Sequence, residues 1–528
     1  MKNKLSSIEN TIHFSVWTVA CIYGLYKLFT AQTDILESHS NIFYSLRDLR
    51  AGWWFSRNLK DVSDVEWSTW LYLIQLSWLY MIFQFMISEI IRRTNIRLLK
   101  YWYIVSTVVF LLNYMGWKQF LLIVSEPVIF WIILCLGGGK ITVWVSSFVL
   151  LAVYNSLKYR YYFWALLENE NDEAIFSLVY GTAWVQLRCI SYCLDYLDNK
   201  KKLQESSDKD YSISPVHERI VNMFSYVMYL PVLFPGPIIL YEEFEKSFHV
   251  KPTDLSLRLK SFIWNVTIYG IYTILLDLAF HYIYFHAMLN NVEAIGMLPS
   301  TALCAGGLWM GLEFQLKYVI SYGTTTAFAR LDNINTPPTP RCIARIHLYS
   351  QMWRYFDVGL YRFLYLYIYT PSYNKLKEYS VLSKNKLILK LISSLTTFIF
   401  IFMWHGTTYN ILVWCGINYM GVILECCSKA IGKTRQYTWF KDNVLRTDAM
   451  EVRFIAFLCA PMLGLSAISS FHLMGGGEVG HLYFGLLKSP SLLNCLILYF
   501  TLYTTSHVAI ALEDVPSRTD SKKIQKTV

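Results

Sequence analysis

At 528 residues the chain could hold several soluble domains, yet only 16% of its residues are charged, against about 25% in a typical soluble protein. More than half (55%) are hydrophobic and 17% aromatic, and the mean hydropathy is +0.34, which excludes a soluble globular chain and requires a polytopic membrane protein. The net charge of +10 lies in short connecting segments, where Lys and Arg mark cytoplasmic loops. It therefore argues against nucleic-acid binding and suits anionic lipid headgroups or the phosphates of an acyl-CoA.

The first apolar run, Thr11 to Ala31, follows Lys2 and Lys4 and reads as an uncleaved first crossing rather than a signal peptide, being long for one. Further apolar segments recur at 69–91, 101–117, 119–137, 141–157, 174–193, 220–241, 261–288, 296–321, 387–404, 407–424, 453–474 and 491–511. Some are too short or interrupted to span, so the pattern predicts an all-α protein of about ten to twelve crossings or re-entrant pieces. Gly137-Gly138-Gly139 and Gly475-Gly476-Gly477 read as turns. Lys140 is followed by Ile141, not Ser or Thr, so the first is no phosphate-binding loop. Three stretches break the rhythm: a polar loop at 197–219, an amphipathic region at 329–385 and a basic loop at 429–450. No fixed-period repeat appears, so 1–528 reads as a single membrane domain. The eleven cysteines include no CxxC pair, which argues against a disulfide scaffold or zinc ribbon. His281 and His286, five residues apart, do not share a helix face and make a poor metal pair.

Leu391 to Leu424 contains no Asp, Glu, Lys or Arg, yet carries His405. An ionisable group at such depth is expensive and marks a functional site facing a cavity. The competing explanation is a histidine hydrogen-bonded across a helix pair. Gly406, Thr407 and Thr408 supply soft backbone and hydroxyls, so the helix is expected to break beside His405.

The extended Pro337-Pro338-Thr339-Pro340 leads into Trp353, Arg354, Tyr355, Phe356 and Asp357. Arg354 and Asp357 stand three apart and could simply pair. The aromatics around Asp357 argue instead for a partly desolvated carboxylate, tuned as a base or orienting group. A buried His and a buried Asp from separate segments point to acyl transfer or proton relay. No GxSxG nucleophile elbow accompanies His405, which argues against a hydrolase. Transporters favour paired broken helices in two similar halves, and no such symmetry is visible.

The block PRCIARIHLYSQMWRYFDVGL, Pro340 to Leu360, with Trp404-His405-Gly406 downstream, resembles the membrane-bound O-acyltransferase family, and within it the Hedgehog-acylating branch. Asp64–Trp70, Leu187–Tyr196, Pro235–Phe244, Gly475–Gly480 and Ser506–Glu513 agree with it, so the resemblance covers most of the chain. It implies N-terminal transmembrane helices over 1–200 and a catalytic core over 220–515, arranged around a central tunnel. His405 corresponds to the family's catalytic histidine and Asp357 to its second catalytic polar residue. Trp353, Arg354 and Trp404 are implied in binding donor and acceptor, and Cys342 stands where a cysteine ligates haem iron.

The implied reaction moves palmitate from palmitoyl-CoA to the N-terminal cysteine of a secreted Hedgehog-type protein, in the endoplasmic reticulum membrane. A lysophospholipid or sterol acyltransferase of the same family, and a non-catalytic scaffold or transporter, are the alternatives. The intact MWRYFDVGL block and the presence of His405 count against them. Two departures stand out. Lys375–Lys386 reads as a loop expansion, and Ser470 occupies a substrate-binding position where relatives carry Asn.

Overall fold

A computed structural model describes residues 5–39, 49–56, 58–159, 172–205, 215–485 and 491–513, with single positions at 162, 165 and 167. Lys2, Lys4 and part of the predicted polar loop (206–214) lie outside the described residues. Twelve long helices run through them: α1 (Ser7–Ser38), α2 (Val65–Thr94), α3 (Leu99–Tyr114), α4 (Gly116–Cys135), α5 (Lys140–Tyr159), α6 (Asp172–Glu205), α7 (Leu255–Ala279), α8 (Ser300–Leu331), α9 (Lys386–His405), α10 (Tyr409–Ile431), α11 (Asp448–Met474) and α12 (Leu492–Glu513). All but α6 and α8 are long and apolar enough to cross a membrane. Those two are the core of the bundle. α8 packs against α1, α2 and α7 and buries Glu313, Gln315 and Lys317 along with its apolar face. In hydrocarbon such polar groups are tolerated only inside protein.

Several expected boundaries move. The apolar run 220–241 is not a crossing: a helix over Val216–Val227 ends at Met228, and Pro231, Pro235 and Pro237 prevent it from resuming. The chain from Met228 to Leu240 stays largely buried with no more helix than the single 3₁₀ turn Leu230–Val232. Its backbone polar groups are met by side chains: Trp184 donates to the Gly236 carbonyl at 2.5 Å, Tyr226 to the Ile239 carbonyl at 2.7 Å, and Ser191 accepts from Tyr241 N at 3.0 Å. Irregular backbone at membrane depth survives only on such terms. The predicted crossing 296–321 is part of the longer, charge-bearing α8, and 174–193 belongs to α6, which runs on through 205 into the predicted polar loop. Gly475 is a turn, but Gly476 and Gly477 begin a helix reaching Gly485. The basic segment 429–450 contains the end of α10, a helix at Arg435–Phe440 and a π-turn at Lys441–Leu445.

The only sheet among the described residues is a small antiparallel hairpin, β1 (Leu49–Ala51) with β2 (Leu59–Asp61), in register Leu49 to Asp61. It caps one end of the bundle over residues 280–287. Asp61 N donates to the Phe280 carbonyl at 3.0 Å, and the Asp61 carboxylate accepts from Ala287 N at 2.8 Å. Trp53 N donates to His281 Nε2 at 2.9 Å.

Candidate active site

Helix α9 ends at His405 because Gly406 adopts φ 128° and ψ 149°, a conformation essentially reserved for glycine. The break expected from Gly406 is therefore present. Part of its cost is met by Asn155 on α5, whose amide donates to the freed Met403 carbonyl at 2.9 Å. Among the described residues nothing hydrogen-bonds to the His405 ring, so a histidine clasped across a helix pair is ruled out there. Aromatic edges hold it instead. Trp404 lies 4.8 Å from its centroid at 78°, and Trp414 on α10 lies 5.0 Å away at 76°. Such edge-to-face contacts fix a ring while leaving its nitrogens free.

The aromatic contacts extend both ways. Trp404 donates its indole N–H to the Ala183 carbonyl at 3.3 Å and packs 5.1 Å from Trp184. On the other side Trp414 packs 5.5 Å from Trp353, which also meets Phe398 at 5.1 Å. Three of the sequence-predicted residues, Trp353, Trp404 and His405, thus belong to one aromatic cluster in which Trp414 is the link.

Asp357 is the N-cap of the helix Val358–Leu364, accepting from Leu360 N at 2.8 Å. Its other oxygen accepts from the Tyr322 hydroxyl of α8, also at 2.8 Å. The protein packed around it pushes the Asp357 carboxyl above the usual carboxylate range, against the lowering effect of these two hydrogen bonds. The alternative pairing with Arg354 does not form: the carboxylate is taken by Tyr322 and Leu360, and the exposed guanidinium packs over the Tyr361 ring at 5.6 Å. Gly359 explains the rigidity of this block, since a Cβ there would stand 2.4 Å from the Ile238 carbonyl oxygen of the buried 228–240 segment. Beyond it, Tyr365–Tyr369 form a π-turn closed by Thr370 N donating to the Tyr365 carbonyl, where Pro371 has no N–H to continue α-helical pairing.

A cavity lies between α2, α6 and α8, and His405 connects to its wall through Trp404 and Trp184, Asp357 through Tyr322. The volume of the cavity is about 30 Å³. Its lining includes Trp184, which packs on Trp404 beside His405, and Tyr322, which holds Asp357. Glu66 and Lys317 add the charged part of the wall. Ser470 is turned to local use, its hydroxyl donating to the Ser466 carbonyl at 3.1 Å. Cys342 is an exposed thiol starting the 3₁₀ turn Ile343–Arg345. Sequence reasoning missed Trp414, Trp184 and Tyr322, each of which looks like ordinary apolar-helix content until the fold brings it beside a functional group.

The family model for MBOAT, the membrane-bound O-acyltransferase family, matches residues 129–465. The chain is 28% identical over 483 residues, 91% of its own length and 90% of the relative's, to the protein-cysteine N-palmitoyltransferase Rasp of Drosophila melanogaster. It is 28% identical over 305 residues to the protein-cysteine N-palmitoyltransferase HHAT of Mus musculus, covering 55% of this chain and 56% of that one. The membrane-bound O-acyltransferase GUP1 of Saccharomyces cerevisiae is 24% identical over 43% of this chain and 42% of its own. With a family match over residues 129–465, from within α4 to within α11, and a bundle of membrane-length helices, this multi-pass chain belongs to the membrane-bound O-acyltransferase family.

Proposed function

We propose that this protein transfers palmitate from palmitoyl-CoA to the N-terminal cysteine of a secreted Hedgehog-type signalling protein at the endoplasmic reticulum membrane. The observation that carries the reading is the His405 ring, clamped by Trp404 and Trp414 with no hydrogen bond to a described residue, in a chain whose Asp357 is held by Tyr322 and Leu360. The 28% identity to Rasp over nine-tenths of both chains supports the acceptor class. In the reaction the acceptor nitrogen attacks the thioester carbonyl, an amide bond forms and the carbon–sulfur bond breaks. His405 accepts the proton released by the amine and returns it to the departing thiolate. Asp357 orients the incoming amine, or the thiol if sulfur attacks first and the acyl group then shifts to nitrogen. Its hydrogen bonds to Tyr322 and Leu360 hold it still while charge develops. Trp353 and Trp404 belong to the aromatic cluster that holds His405, and Arg354 stands exposed to meet the donor's phosphates, while Ser470, its hydroxyl donated to Ser466, contributes only bulk at its position. A tunnel through the bilayer lets a cytosolic thioester meet a lumenal peptide, and no covalent acyl-enzyme is needed.

The test is purified protein with labelled palmitoyl-CoA and peptides beginning Cys, Ser or Gly. A Cys-initiated peptide should be labelled in a form that resists hydroxylamine, because an amide survives where a thioester does not, and N-terminal blocking should abolish labelling. Consumption of lysolipid with every peptide inert would overturn the acceptor and leave the acyltransferase class standing.

We infer that Cys342 would hold a haem iron through its thiolate. An exposed free thiol at the start of a 3₁₀ turn, with the half-buried Arg345 three positions on, suits that role. When bound, the haem would supply a redox-active iron at this loop. Protein expressed with ample haem should show a haem absorption band that Cys342→Ala removes. Iron analysis of wild type that finds none would end the assignment.

A further inference from the structure

In the wall of the cavity, two carboxylates share one ammonium, and a third carboxylate stands close by. Lys317 Nζ lies 2.5 Å from Asp64 Oδ2 and 3.1 Å from Glu66 Oε2. One helical turn along α8, Glu313 turns to His286 on the short helix Phe285–Leu289, with Oε1 3.1 Å from Nδ1. Lys317 cancels one of the three negative charges, so two remain wherever the imidazole is neutral. Uncompensated charge in a dry interior is costly, and such groups pair or bind metal.

Glu313 shows the imbalance most sharply. The residue is 3% exposed, and neither of its carboxylate oxygens has a hydrogen-bond partner among the described residues. Its close approach to His286 is an ion-pair distance without hydrogen-bond alignment. Asp64, His286 and Glu313 each present one ligand atom, and the three atoms lie within 4.8 Å of one another. Two ligands about 2.1 Å from one tetrahedral ion stand about 3.4 Å apart, so the His286–Glu313 spacing suits a common ion and the widest pair needs to close by about 1.4 Å.

We propose that Asp64, His286 and Glu313 bind a divalent transition-metal ion of the zinc class. One imidazole with two carboxylates suits zinc better than magnesium or calcium, which take all-oxygen shells. Lys317 then acts from behind, its bond to Asp64 orienting that ligand. The ion would tie three separate pieces of chain together. Asp64 caps α2 through Trp67 N at 3.1 Å, Glu313 belongs to α8, and His286 sits under the β1–β2 hairpin end. His286, with 23% of its side chain exposed, leaves a way in.

The test uses the full-length protein in detergent, stripped with EDTA, incubated with one equivalent of Zn²⁺ and passed through gel filtration. We expect about one zinc per chain in wild type and a rise in melting temperature over the stripped protein. Both should be lost in Glu313→Gln and His286→Gln and kept in Cys342→Ala, which controls for thiol binding. Zinc absent from wild type, or retained equally by both ligand variants, overturns the site. If neither ligand variant elutes as monodisperse protein, wild type decides: a melting temperature indifferent to EDTA and Zn²⁺ also overturns it. None of these readouts depends on acyl transfer.

Discussion

Replacing His405 with alanine is expected to lower palmitoyl transfer by about 10²–10⁴-fold, the usual worth of a positioned general base. The loss should appear in kcat, because no hydrogen bond from the His405 ring to any described residue helps to build the pocket. Folding should survive. The ring contributes two aromatic edge contacts, while the backbone break beside it is set by Gly406 and by Asn155 capping Met403. The measurement is single-turnover acylation of a Cys-initiated peptide by monodisperse protein. Wild-type turnover in that variant would remove His405 from the mechanism.

Asp357 allows two roles to be separated. Asp357→Ala removes both the acceptor for Leu360 N and the partner of Tyr322, so it should lose activity severely and also cost about 1 kcal/mol of stability as a missing N-cap. Asp357→Asn keeps the cap, since Asn and Asp are equivalent there, and keeps a polar group facing Tyr322 while removing the charge. A role in orientation predicts that the Asn variant retains the wild-type melting temperature and more activity than the Ala variant. If both variants turn over like wild type, Asp357 is a helix cap and nothing more.

Much of the architecture was legible because the bilayer imposes a coarse rule, long apolar runs, that local sequence displays directly. The rule failed where tertiary contacts override it. The run 220–241 is apolar enough for a crossing, but Pro231, Pro235 and Pro237 leave backbone groups that only α6 and Tyr226 can satisfy. α8 carries Glu313 and Lys317 because it is surrounded by protein, which hydropathy cannot register. At the site, Gly406 announced the break next to His405, and Asp357 stood out among its aromatics. Its true partner did not, because Tyr322 comes from another helix 35 positions away. Sequence spacing offered only Arg354 as an alternative partner, and a distant hydroxyl takes that place. His286 was set aside because His281 is a poor companion, whereas Asp64 and Glu313, remote in sequence, are the neighbours that matter.

The largely buried segment 228–240, with its single 3₁₀ turn, also constrains how the chain is made. A nascent run without its own helical hydrogen bonds cannot partition into lipid by itself, because its amides would be stranded there. Its acceptors and donors exist only once Trp184 and Ser191 of α6 are in place, since these bond Gly236 and Tyr241. Biogenesis must therefore run in order: α6 is inserted first, the segment is laid against it, and the helix capped by Asp357 closes over it through Gly359. The block that carries Asp357 is accordingly among the later parts of the bundle to be completed.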